Sequence, residues 1–133
     1  MNKASPIPLP LDPDALLTAE CEPMTPWPPT IRNDEYKHGA RLLFAGEFTS
    51  YLYTSDAGLM RFEDYPFDEY VTVLAGTATL TPDGGEPGVF ATGKSFIVPK
   101  GFTGTWEVTA GYRELFVIES VSCEAGFKVL GLA

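Results

Sequence analysis

Histidine and cysteine are almost missing from this sequence: among 133 residues there is one histidine, His38, and two cysteines, Cys21 and Cys123. Two thiols so far apart exclude a disulfide scaffold or a thiolate zinc site. A single imidazole excludes histidine-rich metal centres, and it leaves Ser/His or Cys/His nucleophilic chemistry only one residue to use. Positive charge is also scarce. Nine Lys and Arg stand against eighteen Asp and Glu, a net charge of −9, so a nucleic-acid backbone or an anionic membrane surface would repel the chain. No apolar run approaches a membrane span, and the first thirty residues show no charged-then-apolar leader pattern. The expectation is a cytoplasmic protein with no nucleic-acid or membrane partner, its thiols reduced. Nothing basic adjoins either cysteine to activate it.

What is present is apolar surface: 44% hydrophobic residues and 13% aromatic residues, enough to offset the conformational entropy of folding. Proline and glycine divide the chain. Pro6, Pro8, Pro10, Pro13, Pro23, Pro26, Pro28 and Pro29 precede residue 30, whereas every glycine lies at or after Gly39. Residues 1–38 therefore read as a Pro-rich arm of extended, non-sheet backbone, lying over a body formed by residues 39–133. One short helix is expected in the arm, with Asp12 as N-cap and Pro13 at the first helical position, stopping before Pro23. Leu9, Leu11, Leu16, Leu17 and Trp27 argue that the arm is covered, not free.

In the body, short β-branched and aromatic runs alternate with turn residues. Strands are expected at 41–45, 47–54, 58–63, 69–75, 77–81, 88–91, 95–98, 103–109, 112–121 and 127–131, with Pro82 to Gly85 as the clearest hairpin turn. No helix pattern interrupts them, so the fold class is all-β, an antiparallel sandwich or barrel. Alternation along 69–75 puts Glu69, Val71 and Val73 on one face and Tyr70, Thr72 and Leu74 on the other. Both faces are partly apolar, and such a strand is covered on both sides.

Two segments resemble the cupin motifs. Asp68-Glu-Tyr-Val-Thr-Val-Leu-Ala-Gly76 is similar to the second half of the first motif, and Gly93-Lys-Ser-Phe-Ile-Val-Pro99-Lys-Gly101 to the second. The run from Pro99 through Trp106 resembles the small cupins of the Cupin_3 group, which includes (S)-ureidoglycine aminohydrolase. The resemblance covers about residues 40–120 and implies an antiparallel double-stranded β-helix, the cupin jelly-roll barrel, carrying the Pro-rich arm. In metal-binding cupins these motifs supply three histidines and a glutamate. The aligned positions here are Glu63, Tyr65, Glu69 and Gly104, with Phe62 and Asp64 at the alternative spacing; none is histidine. No transition-metal cofactor is expected, although carboxylates and a phenol at Glu63, Glu69 and Tyr65 leave manganese or magnesium open. His38 lies outside both motifs and reads as a surface or interface residue.

Since position 104 should face the interior, Trp106 and Val108 should too, and the indole would fill space left by the imidazoles. Trp106, Phe102, Tyr51 and Tyr53 can each be read as barrel core. Glu69 needs more: a buried carboxylate requires a cation, donors or a ligand, with Arg61, Lys94 and Tyr65 as the available partners. The expected ligand site is thus Glu69, Tyr65, Glu63, Arg61, Trp106, Phe102 and Tyr53. It suits a small molecule with an amine, ureido or hydroxyl donor and a flat or apolar part. Two functions fit. One is a metal-independent small-molecule binding or sensing module. The other is an enzyme related to (S)-ureidoglycine aminohydrolase, with Glu69 as general acid or base and Tyr65 as its partner. A pure dimerisation scaffold is a third reading. A homodimer is expected, because two-sided apolar strands and the arm leave surface to cover.

Overall fold

The computed structural model describes residues 6–132; the first five residues of the arm and Ala133 lie outside the described residues. The chain begins with α1 (Pro13–Thr18), where the Asp12 side chain accepts the Asp14 amide at 3.1 Å and Pro13 opens the helix. Next comes β1 (Glu22–Pro23), which pairs antiparallel with β2 (His38–Ala45). This corrects the expectation of non-sheet backbone throughout the arm. Proline is tolerated because β1 is an edge strand, where an amide can go unpaired.

The body continues through β3 (Phe48–Ser55), β4 (Gly58–Phe62), β5 (Glu69–Ala75), β6 (Thr77–Pro82), β7 (Gly88–Ala91), β8 (Ser95–Val98), β9 (Gly104–Val108) and β10 (Tyr112–Glu119). A six-stranded sheet in the order β1-β2-β3-β10-β5-β8 faces a four-stranded sheet in the order β4-β9-β6-β7, all neighbours antiparallel. The fold is an all-β jelly roll. The Asp83 to Gly85 turn joins β6 to β7 as expected.

Period-two burial drives the two sheets together. Along β9 Gly104, Trp106 and Val108 are buried, and along β10 Tyr112, Glu114, Phe116 and Ile118 are buried, while the intervening residues are more exposed. Burying a side chain such as Val71, Val73 or Ile118 contributes about 1.5–3 kcal/mol, so a one-residue slip of register would forfeit most of the core. The outer face of the large sheet is partly covered by the arm: α1 packs near β5, and the Arg113 guanidinium donates to the carbonyls of Leu16 and Ala19 at 3.0 and 2.8 Å. That covers only part of the outer face of β5, where Tyr70 stays exposed, so the expected covering on both sides is incomplete.

After β10 the chain departs from expectation. Residues 120–121 do not extend the strand and 127–131 do not form one; instead α2 (Ser120–Val129) follows directly. Glu119 caps it, its carboxylate accepting the amides of Val121 and Ser122 at 2.8 and 3.0 Å. The helix ends with the Leu132 amide bonded to the Phe127 carbonyl at 2.9 Å and Gly131 at φ 76°. Gly126 lets the helix lie against the barrel, since a Cβ there would sit 2.4 Å from the Phe67 ring. Among the described residues no helix is long and apolar enough to cross a membrane.

Candidate functional site

Three segments put polar groups inside the barrel. Glu69 opens β5 and points inward with Val71 and Val73. Tyr65 reaches the interior from the loop after β4. Met60 and Phe62 face inward, Glu63 faces solvent, and the chain reverses at Asp64, whose φ of 50° lies in the left-handed region. The Asp64 amide donates to Thr103 Oγ1 at 2.9 Å, the Tyr65 amide to the Phe102 carbonyl at 2.9 Å, and the Gly101 amide to the Tyr65 carbonyl at 2.8 Å. Held this way, the Tyr65 hydroxyl donates to Glu69 Oε1 at 2.7 Å. The third segment is β10, where the Tyr112 hydroxyl donates to Glu114 Oε1 at 2.6 Å.

Glu69 and Glu114 open onto one cavity of about 350 Å³ between the sheets. Its walls are aromatic: Tyr51, Tyr53, Phe62, Tyr65, Phe67, Trp106 and Phe116 come from the body. Met24 and Trp27 of the arm line the cavity too, as do Phe127, Leu130 and Leu132 at the end of α2. No Lys, Arg or His among the described residues lines it. Burial pushes the Glu69 carboxyl up to about 7, with the Tyr65 hydroxyl pulling it partly back. Burial raises Glu114 well above the usual carboxylate range, and the neighbouring Glu69 charge raises it further, against the Tyr112 bond. The Trp106 ring stands edge-on to Phe62 and Phe96, with centroids 6.0 and 5.6 Å away. Its buried Nε1–H is the one orphaned buried side-chain polar atom among the described residues.

The arm is bonded to this wall. Trp27 Nε1 donates to the Tyr53 hydroxyl at 3.3 Å, that hydroxyl lies 2.8 Å from His38 Nδ1, and His38 Nε2 lies 2.7 Å from the Thr25 carbonyl. A carbonyl can only accept, so Nε2 carries the proton and Nδ1 accepts from Tyr53. Both ring nitrogens are used, and burial holds the imidazole below its ordinary pKa. His38 is therefore a buried structural residue where the arm meets the barrel, which of the expected surface or interface positions rules out the surface. Arg32, over the Tyr36 ring at 3.8 Å, adds bonds to Ser55 and to the carbonyls of Asp56 and Ala57 at 2.8–3.3 Å.

Of the residues expected from sequence, the structure brings Glu69, Tyr65, Trp106 and Tyr53 together in the cup. Arg61 and Glu63 are elsewhere: Arg61 forks onto Asp83 with two bonds of 2.6 Å on the outside, 3.7 Å from Glu63. The outward position of residue 61 follows from Met60 and Phe62 facing in. Lys94 is exposed, and Phe102 packs half-buried on the core outside the cavity lining. Neither cation reaches Glu69. Glu114 was readable but unread: the alternation that carries Tyr112, Phe116 and Ile118 inward along 112–119 carries it too. Trp27 and the α2 residues had no such pattern to reveal them.

The donor set does not suit the metal that the fold family suggests. The cup offers two carboxyl groups held toward the neutral acid and tyrosine hydroxyls already committed to them. Transition metals favour imidazole, and a hard cation held by two carboxylates would have to fill its remaining positions with water, which the aromatic wall does not hydrogen-bond. At Gly104, the position of the second-motif histidine, a Cβ would lie 2.2 Å from the Thr81 carbonyl oxygen. β9 and β6 approach there too closely for any side chain.

The family model of the EutQ-like cupin domain matches residues 42–116. No curated protein matches the chain. Among solved structures, the Clostridium difficile EutQ protein superposes with a TM-score of 0.57 at 20% identity, over 66% of this chain and 71% of that one. A protein of unknown function from Pseudomonas syringae pv. tomato gives 0.64 at 18% identity, over 77% of this chain but 45% of that one. Another, from Rhizobium leguminosarum bv. viciae, gives 0.54 at 21% identity, over 65% and 84%. At these identities the likeness speaks for the fold. With the matched segment taking in more than half of the sequence and the double-sheet jelly roll built from it, the chain belongs to the EutQ-like cupin domain family.

Proposed function

We propose that this chain is a metal-independent module that binds a small molecule in the cup between the two sheets. The observation that carries the reading is a cavity of about 350 Å³ whose aromatic wall holds two buried carboxyl groups with no protein cation among its lining residues. Preformed, mostly apolar concavities with a few convergent polar groups are what small-molecule sites look like. Native mass spectrometry of the purified protein tests it. The expected result is a copurified small molecule, at up to one per chain, retained after treatment with a chelator. A stoichiometric transition metal lost to the chelator together with the ligand overturns the reading.

One observation favours an enzyme as the second reading. Glu69, raised to about 7 and bonded to Tyr65, is poised for general acid or base work near neutrality, as on a small ureido or amino acid. Glu69→Gln separates the two. Turnover that disappears while binding survives supports catalysis; a wild type that turns over none of those substrates supports the module. A homodimer in the cytoplasm completes the proposal. Exposed Tyr70 and Ile97, paired across β5 and β8, offer apolar surface to a second copy, and sedimentation mass reads the state directly.

A further inference from the structure

The cup contains an unanswered demand for both a cation and an acceptor. Glu69 and Glu114 each receive one hydrogen bond, from a tyrosine, and neither has a protein cation. Ionised, each is a buried charge without a counter-charge; protonated, each Tyr–acid pair holds two O–H groups and only one can bond within the pair, so the other is left without a partner there. Trp106, 4% exposed in the wall of the same cavity, adds an indole N–H that completes no hydrogen bond, although it lies near enough to the Tyr112 hydroxyl to pull back part of the rise that burial gives that group's pKa. A hydrated hard ion would answer only the acids and would leave the aromatic wall facing polar groups. An ammonium answers both acids and stacks favourably against aromatic faces such as Tyr65 and Phe62. An oxygen on the same molecule answers the indole.

We propose that the ligand of this cup is a small amine that also carries an acceptor oxygen. Its ammonium sits against Glu69 and Glu114, its oxygen accepts from Trp106 Nε1, and its apolar body lies along the aromatic wall. This deepens the binding reading above and rests on it. The titratable groups facing the two acids are Tyr65 from the loop after β4, Tyr53 from β3, Tyr112 from β10 and Cys123 from α2. None of them supplies positive charge, so docking the ammonium must draw a proton off at least one acid.

Four probes of about ten non-hydrogen atoms, a size such cavities accept, separate the requirements by isothermal titration calorimetry on the full chain. They are 2-phenoxyethylamine, 3-phenylpropylamine lacking the oxygen, 2-phenoxyethanol lacking the charge, and the anion phenoxyacetate. The expected order places 2-phenoxyethylamine about tenfold or more tighter than the alcohol and about fivefold tighter than 3-phenylpropylamine, with phenoxyacetate weakest. Its affinity rises between pH 5 and 8, with protons released in buffers of different ionisation enthalpy. Trp106→Phe removes the advantage of the oxygen and keeps that of the charge. Glu114→Gln, shown folded by circular dichroism, weakens both amines about tenfold, and the surface substitution Glu107→Gln weakens neither.

If the alcohol or phenoxyacetate binds as tightly as the amines, the amine assignment falls and the binding module stands. If 3-phenylpropylamine equals 2-phenoxyethylamine in the wild type, the acceptor oxygen falls. If none of the four binds, water satisfies the acids and the inference is wrong, and native mass spectrometry then decides the binding reading by itself.

Discussion

Inside the barrel the polar chemistry belongs to residues 42–116: Glu69, Tyr65, Trp106, Tyr112 and Glu114 all fall there. The segments that flank it, the arm and α2, contribute Met24, Trp27, Phe127, Leu130 and Leu132, with no titratable group in the cavity lining. On the proposed binding reading, the part that matches the family model would decide which ligand chemistry is recognised, and the two covers how much of the ligand is shielded from water. The covers are also held differently. The arm is pinned by polar bonds through Arg32, His38 and Tyr36. By contrast, α2 has its polar bonds to the barrel at its first residue, where the Ser120 amide donates to the Glu47 carbonyl at 3.0 Å and the Ser120 hydroxyl lies 2.8 Å from Thr49 Oγ1. Beyond that it is held by packing of Gly126 on Phe67 and of Cys123 in the core.

Removing Trp27 tests most severely whether a cover is part of the core. Trp27→Ala deletes a buried indole that sits 5.5 Å from Phe62, and it leaves the Tyr53 hydroxyl without its donor. A loss of about 3–5 kcal/mol in urea denaturation is expected. A loss below about 1 kcal/mol, typical of surface substitutions, would show that the barrel is complete without the arm.

The next effect is a pH dependence that originates in the barrel. Folding raises Glu69 from its ordinary 4.5 to about 7. The folded state therefore binds more protons than the unfolded one across that window, and stability falls as pH rises through it. Without ligand the protein should be less stable at pH 8 than at pH 5 by about 3 kcal/mol from Glu69, with Glu114 acting in the same direction. Burial lowers His38, so its contribution runs the other way, being lost as pH falls. Glu69→Gln removes the carboxylate part, and comparing its denaturation midpoints at the two pH values with the wild type isolates it. An unchanged pH slope in that variant would mean that Glu69 is not the acid concerned. On the α2 side, Gly126→Ala forces a methyl into the Phe67 ring and should cost about 1–3 kcal/mol by overpacking, read by the same denaturation.

How far this was legible in the sequence follows the same division. Strand alternation placed Glu69 inward, and the motif resemblance led to Trp106, because both are properties of a regular two-residue period. Tyr65 came from motif alignment, although its position depends on the left-handed turn at Asp64, which no period reports. Arg61 is suggested as a partner of Glu69 by its charge and Glu63 by its alignment with a motif histidine, and the alternation of β4 turns Arg61 outward while Glu63 faces solvent. The covers were hardest. Residues 127–131 look like a strand in isolation, and only their docking on the barrel makes them helix and exit turn. Of the arm residues expected to be covered, only Leu16 and Trp27 are buried, while Leu9, Leu11 and Leu17 stay exposed, and nothing in their spacing indicated that Trp27 would become cavity wall.

Each cover carries one cysteine, which allows the smallest effect to be the most discriminating. Cys123 is buried on α2, and burial pushes its thiol up to about 11, so the reactive thiolate is scarce at neutral pH. Cys21, in the arm, is half-exposed. In native buffer a disulfide reagent should label Cys21 quickly and Cys123 only as α2 opens. Trp27→Ala should accelerate Cys21 alone, and Gly126→Ala should accelerate Cys123 alone, if the arm and the helix open independently. Joint acceleration in either variant would show that the two covers move as one unit over the cup, with mass spectrometry of the labelled peptides giving the answer for each thiol.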